Sequence, residues 1–200
     1  MQKFSSEELK KLYIPQKNSH KTQNGKLTIV GGSHLFHGAS LWALKVASRI
    51  VDMVFYASVP ENNELTEKLK GEIYDFIAVP RGKIDEYIKE SDAVLIGPGL
   101  PREEGRHEDE EETKALTRRL FEKSPNKKWI IDAGSLQVMD KELLRKFGDN
   151  VVLTPHPREF KTLFGIDANE ESVSKTAKEY NCIILLKGPT DTVCSPAECL

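Results

Sequence analysis

Two hundred residues, 38% hydrophobic and 30% charged, are enough for one domain with a substantial core and a well-solvated surface. A formal net charge of -2 leaves no basic excess, so nucleic acid is not an expected partner. The opening MQKFSSEELK lacks the apolar run of a signal peptide, and the most apolar long window, Leu41 to Val59, is broken by Lys45, Arg49 and Asp52, so no membrane partner is expected. Cys182, Cys194 and Cys199 are too few and too clustered for a disulfide framework. Cys194 and Cys199 also lack the CxxC spacing of a zinc half-site, so all three are expected as ordinary thiols of a cytoplasmic protein.

Ser5 with Glu8 forms a capping-box pattern before Leu9, Leu12 and Tyr13, predicting a short helix that stops before Pro15. Gln16 to Asn24 is polar and loop-like. From Lys26 the chain alternates. LTIV is a strand, and GGSHLFHGAS a loop. SLWALKVASRI places apolar residues at Leu41, Leu44, Val46, Ala47 and Ile50, a helical spacing. MVFYAS is a strand, Asn63 to Lys70 a helix, IYDFIAV a strand, and Lys83 to Glu90 a helix. AVLIG is a strand, Glu108 to Lys123 a helix, WIID a strand, and Lys141 to Phe147 a helix. VVLT is a strand, Arg158 to Phe164 and Glu170 to Tyr180 are helices, and IILLK is a strand. Short apolar strands separated by helices predict a mostly parallel sheet covered on both faces, in a single domain over 1–200. The acidic run Arg102 to Glu112 leads a helix that Arg118 and Arg119 close, which complements the helix dipole and reads as a solvated face.

The strands end alike. Gly31-Gly32-Ser33 follows LTIV, Gly97-Pro98-Gly99 follows AVLI, and Asp132-Ala133-Gly134 follows WII. Thr154-Pro155-His156-Pro157 follows VVL, and Lys187-Gly188-Pro189 follows IILL. In an open parallel sheet these carboxyl ends share one edge, where ligands bind. Glycines let backbone N–H groups approach a phosphate, and a lysine supplies a point charge for it. Pro157 suits the first helical position, which puts His156 at the N-cap, beside free N–H groups and the positive dipole end. Any strand-to-helix turn favours Gly and Pro, and a histidine at a helix start is more often a cap than a ligand. Five such turns, two of them carrying His or Lys, favour a nucleotide-type site.

No GxxxxGK[ST], no GxGxxG after the first strand and no GxSxG occurs, which weighs against a P-loop, a dinucleotide fingerprint and a hydrolase elbow. His34 and His37 have HxxH spacing but no carboxylate company in sequence, and read as polar loop residues rather than metal ligands.

The segments HKTQNGKLTIVGGSHLFHGAS, DAVLIGPGL, WIIDAGSL, VVLTPHPREF and ILLKGPTDTVCSP follow one another as in NAD(P)H-hydrate dehydratases, which the chain resembles from His20 to about Pro196. These are ribokinase-like enzymes, also found as the C-terminal half of a bifunctional repair protein fused to an epimerase. The resemblance implies a three-layer α/β/α fold with a mostly parallel central sheet. It implies ADP- or ATP-dependent dehydration of hydrated NADH or NADPH, by phosphorylation of the added hydroxyl and elimination of phosphate. It implies Mg2+ carried by the nucleotide, and admits a homo-oligomer. It assigns Ala39, Gly99 and His156 to the hydrated substrate, and Lys187, Gly188, Pro189, Thr190 and Asp191 to the adenine nucleotide.

The chain departs from the family pattern in three places. Pro101 stands where Gly-Pro-Gly-Leu-Gly ends. Asp132-Ala133-Gly134-Ser135-Leu136 lacks the second acid of Asp-Ala-Asp-Ala-Leu. Arg158 replaces the glycine of His-Pro-Gly-Glu. The family's Asn-x-Gly-Met and Gly-Gly-Thr-Gly-Asp stretches, with the expected base, lie past Leu200, as do its later helices. The 200 residues are therefore expected to bind nucleotide weakly, turn over little and leave some apolar sheet surface uncovered. The alternatives are a ribokinase-like kinase for a vitamin precursor and a non-catalytic nucleotide-binding protein.

Overall fold

The structure, a computed structural model, describes residues 5–102 and 112–200. Its strands are β1 (Lys26–Val30), β2 (Met53–Ser58), β3 (Phe76–Pro80), β4 (Ala93–Ile96), β5 (Lys128–Ile131), β6 (Val151–Leu153), β7 (Ile183–Leu186) and β8 (Thr192–Cys194). They form one sheet in the order β3-β2-β1-β4-β5-β6-β7-β8. β1 to β7 run parallel, and β8 returns antiparallel to β7. The helices are α1 (Gly38–Ala47), α2 (Pro60–Leu69), α3 (Ile84–Glu90), α4 (Thr113–Lys123), α5 (Ala133–Val138), α6 (Pro157–Phe164) and α7 (Glu170–Tyr180).

Crossovers between parallel strands are right-handed, so the direction of travel along the sheet decides the face a helix covers. From β1 to β3 the chain moves one way, and from β3 to β7 the other. Accordingly Leu44 and Ala47 of α1 pack with Ile29, Val54, Tyr56 and Phe76 in one apolar cluster. The helices α3 to α7 build the larger cluster on the opposite face, where Ile88, Leu120, Phe160 and Val173 meet Val94, Ile96, Trp129, Ile131 and Leu153. The result is three layers. They are uneven: Leu95, Ile130, Val152 and Ile183 stand in register across β4 to β7 on the α1 face and are only half-buried. Their neighbours Val94, Ile96, Trp129 and Ile131, on the other face, are buried.

Local chemistry sets the element ends. Ser5 caps a 3-10 turn over Ser6–Lys11 by accepting from the Glu7 N–H. Asn169 and Ser172 form a reciprocal capping box on α7, which closes on Asn181 in the left-handed region, φ 50°. The helix predicted over Lys141 to Phe147 is a 3-10 stretch, Lys141–Lys146. The strand β8 and helix α5 were not foreseen: both are short, and AGSLQV carries a glycine and a serine on its buried side instead of an apolar stripe. The described part of α4 starts at Thr113, so the acidic run and its dipole reading lie mostly outside the described residues.

The cysteines require a correction. Cys194 and Cys199 form a disulfide, and only Cys182 is free. Val193 N donates to Leu200 O at 3.0 Å and Leu200 N to Val193 O at 2.7 Å, so a tight return folds residue 199 alongside β8. Spacing alone did not reveal that return. Cys182 lies in the core, and burial pushes its thiol up to about 12.

Candidate active site

Strand order reverses between β1 and β4, so their carboxyl ends mark the switch point where ligands bind in open parallel sheets. Two glycine turns meet there. Gly99 has φ +73°, and a Cβ on it would lie 2.9 Å from the Phe36 carbonyl oxygen. Gly97 has φ +117°, and a Cβ would lie 1.7 Å from the Asp132 carbonyl oxygen. The glycines therefore let the turns after β1, β4 and β5 pack backbone against backbone. Their amides are engaged in that packing: Gly31 N donates to Ala57 O, Gly32 N to Pro98 O and Gly97 N to Val30 O, at 3.2, 2.8 and 3.0 Å. The expectation that these N–H groups cradle a phosphate does not fit such bonding.

Beneath the β1 turn lies a buried polar network. Asn62, on the inner side of α2, donates from Nδ2 to Ser58 Oγ at 2.9 Å and to Ser33 O at 3.3 Å, and its Oδ1 faces His37 Nδ1. Ser40 Oγ donates to His37 O at 3.0 Å. The Ser40 proton being used there, the Tyr56 hydroxyl donates to Ser40 Oγ at 2.8 Å. Burial pushes the Tyr56 hydroxyl above its ordinary value, so it stays a donor. Arg81 Nη2 donates to Gly32 O at 2.8 Å. His34 pairs with Glu61 at 3.1 Å. The two histidines of the HxxH spacing thus meet different partners, and among the described residues no group of three or more His, Cys, Asp or Glu side chains is placed to hold a metal ion.

Further along the same edge, β5, β6 and β7 end in a second cluster. Asp132 Oδ1 accepts from Thr154 Oγ1 at 2.8 Å and from Lys187 Nζ at 2.7 Å. Lys187 N donates to Pro155 O at 2.9 Å, which ties the β7 end to the β6 turn. His156 is the N-cap of α6: its Nδ1 accepts from the Arg158 and Glu159 N–H groups at 3.1 and 3.3 Å. Glu159 returns the contact by accepting from His156 N at 2.9 Å. With Nδ1 an acceptor, the neutral ring carries its proton on Nε2, which lies 3.5 Å from Oε1 of the buried Glu159 carboxylate, while 47% of the histidine side chain stays exposed. Pro157 occupies the first turn of α6. Gly188 N donates to Asp191 Oδ1 at 2.9 Å, closing the Lys187–Asp191 loop that leads into β8.

All the residues singled out from sequence fall on this edge, in two groups. Ala39, exposed at the start of α1, and Gly99 sit at the β1–β4 switch point. Lys187 to Asp191 sit past β7, with His156 on the intervening β6 turn. At ~4.8 Å between neighbouring strands, β4 and β7 end about 14 Å apart. The edge is long enough for two ligands side by side. Sequence reasoning named Ser33 only as part of the β1 turn and missed the supporting residues Ser40, Tyr56, Ser58, Asn62 and Arg81. The one available signal was a polar residue, Asn62, on the inward stripe that α2 shares with Thr66 and Leu69.

The profile of the NAD(P)H-hydrate dehydratase family matches residues 27–200. The chain is 33% identical over 192 residues to the bifunctional NAD(P)H-hydrate repair enzyme Nnr of Methanocaldococcus jannaschii, covering 93% of this chain and 36% of that protein. It is 30% identical over 204 residues to the ADP-dependent (S)-NAD(P)H-hydrate dehydratase of Nitrosopumilus maritimus, covering 92% of this chain and 67% of that one. The chain thus spans about a third of the bifunctional relative's length. Among solved structures, a ribokinase-like superfamily protein of Enterococcus faecalis V583 superposes with a TM-score of 0.80 at 16% identity, over 98% of this chain and 69% of that one. The ADP/ATP-dependent NAD(P)H-hydrate dehydratase of Bacillus subtilis, co-crystallised with ATP/Mg2+, superposes with a TM-score of 0.66 at 20% identity, over 94% and 67% of the two chains. The fold is ribokinase-like, and the chain belongs to the NAD(P)H-hydrate dehydratase family.

Proposed function

We propose that this chain carries a nucleotide-dependent dehydratase site that returns hydrated NADH or NADPH to NAD(P)H. The match to the dehydratase family over residues 27–200 carries the reading. The edge geometry supports it. Ala39 and Gly99 receive the hydrated nicotinamide at the switch point, the half-exposed ring of His156 stands on the β6 turn further along, and Lys187 with the loop to Asp191 receives the nucleotide phosphates. ADP or ATP transfers a phosphoryl group to the added hydroxyl oxygen, whose proton is released. Phosphate then departs with its C–O electrons, a ring proton is lost, and the double bond is restored. Positioning and charge are most of what such a transfer needs. Lys187 meets that need: its ammonium is fixed by Asp132 at 2.7 Å, yet its side chain remains 41% exposed. Magnesium would arrive with the nucleotide phosphates, as expected of an ion that keeps most of its water.

The test is recovery of NADH absorbance from its hydrate with ADP or ATP and magnesium present. Hydrate binding, with a slow recovery that occurs only when nucleotide is present, is the expected result, in keeping with the little turnover expected of residues 1–200. Absence of both recovery and hydrate binding would remove the assignment. A preference for a thiazole alcohol or a hydroxymethylpyrimidine over the hydrate would instead make the site that of a vitamin-precursor kinase.

A further inference from the structure

Resting on that reading, we propose that His37 is a substrate-contacting residue, and that Asn62 positions it by fixing the proton on Nδ1 so that Nε2 accepts a hydrogen bond from the hydrated nicotinamide ring. The Ser33 carbonyl can only accept a hydrogen bond, so the amide nitrogen of Asn62 must face it. That orientation leaves Asn62 Oδ1, an acceptor, against His37 Nδ1. His37 Nδ1 is therefore the donor, and in the neutral ring Nε2 holds a lone pair. Asn62 has no freedom to turn: it is 0% exposed, and the same Nδ2 also donates to Ser58 Oγ at 2.9 Å. The Gly32 backbone lies over it, close enough that a Cβ there would come within 2.3 Å of Asn62 Nδ2. The serines at 33, 40 and 58 are buried as well.

A buried network in which each member is satisfied is costly to build, and it rigidifies what it holds. Here it holds the ring of His37, which is half-exposed and makes no side-chain capping bond to α1. The ring is well placed for a ligand. Its neighbour Phe36 touches Gly99 through its carbonyl, and Ala39 follows two residues later. Along the chain His37 thus falls between Phe36, whose carbonyl lies against Gly99, and Ala39. The hydrated nicotinamide ring offers two donors, the added hydroxyl and the carboxamide, and His156 cannot accept from them in its neutral form, because its Nδ1 is taken by the α6 amides and its Nε2 carries the proton beside Glu159.

The experiment titrates NADH hydrate and ADP separately into the full 200-residue chain and into His37→Ala, with a melting curve for each and a two-bond 1H–15N spectrum of the wild-type imidazoles. Hydrate affinity should fall about tenfold in His37→Ala while ADP affinity stays within about twofold, the scale of one lost hydrogen bond. The spectrum should assign the Nδ1–H tautomer to His37. Equal hydrate affinity in the variant, or an Nε2–H tautomer, would overturn the inference and leave the dehydratase reading standing. Wild-type chain that binds ADP but no hydrate would overturn both.

Discussion

Lys187 Nζ lies 2.7 Å from Asp132 Oδ1, the oxygen that also accepts from Thr154 Oγ1 at 2.8 Å. Three consecutive strands, β5, β6 and β7, each contribute one member of this cluster. With 41% of the lysine side chain exposed, the pair adds little stability, about 1 kcal/mol at most. Its effect is to fix the lysine ammonium at the carboxyl edge of the sheet. Lys187→Ala should therefore leave stability within about 1 kcal/mol and lower ADP affinity about tenfold, because a charge-assisted hydrogen bond to phosphate is worth about 1.5 kcal/mol or more. Calorimetric titration with ADP reads this directly. Unchanged affinity would take Lys187 out of the nucleotide site.

His156 has two roles that mutation can separate. Its Nδ1 caps α6, and its half-exposed ring, with Nε2 3.5 Å from Glu159 Oε1, is the proposed contact to the hydrate. His156→Ala removes both and should cost about 1 kcal/mol of stability, the usual value of an N-cap. His156→Asn keeps an acceptor at the cap, so stability should be largely retained while hydrate binding weakens. Urea unfolding of the two variants, paired with hydrate titration, separates the roles. If His156→Asn binds the hydrate as well as wild type, the residue is a cap alone.

The parallel sheet and the edge that carries the candidate site were legible because short apolar strands and Gly/Pro turns are local signals. The N-cap at His156 was legible for the same reason, whereas the Ser5–Glu8 pair forms no reciprocal box and the Asn169–Ser172 box was not foreseen. Asn62 was not: in PENNEL it looks like any polar helical residue, and only the tertiary approach of Gly32 makes it structural. The disulfide was hidden similarly, since five residues of spacing bring two sulfurs together only once Leu200 pairs with Val193. The glycine turns were legible as a place but not in their bonding. Their amides are engaged by neighbouring turns, a partnership that no single segment announces.

Those turns give a graded test. Gly38 starts α1 with nothing within 4 Å of an added Cβ, so Gly38→Ala should be neutral or slightly stabilising. Gly165 ends α6 at φ +77° with equally open surroundings, so Gly165→Ala should cost about 1 kcal/mol from backbone conformation alone. Gly97 combines φ +117° with a 1.7 Å clash against the Asp132 carbonyl, so Gly97→Ala should cost more than about 3 kcal/mol or prevent folding. Denaturant midpoints for the three variants supply the order. A Gly97→Ala protein as stable as Gly165→Ala would mean that the β4 and β5 turns do not touch.

Cys182 makes stability depend on alkaline pH. Its thiol rises from an ordinary 9.0 to about 12 in the folded chain, because burial penalises the thiolate. Between those values the unfolded chain has lost the proton and the folded chain keeps it. The slope of unfolding free energy with pH is then negative: the contribution is fully present below pH 9.0 and fades as pH rises towards about 12. The hydroxyls of Tyr56 and Tyr180 are also raised, chiefly by burial, and act in the same direction, so the wild-type slope alone does not isolate the cysteine. Cys182→Ala removes one titrating group and leaves the tyrosines. Melting curves from neutral pH upward should show a smaller alkaline loss in the variant, although it starts less stable because of the atoms removed from the core. The same burial makes the native thiol slow towards a disulfide reagent, with labelling appearing only on unfolding. Parallel alkaline slopes in the two proteins, or fast labelling of native chain, would place Cys182 nearer solvent than the core position described above.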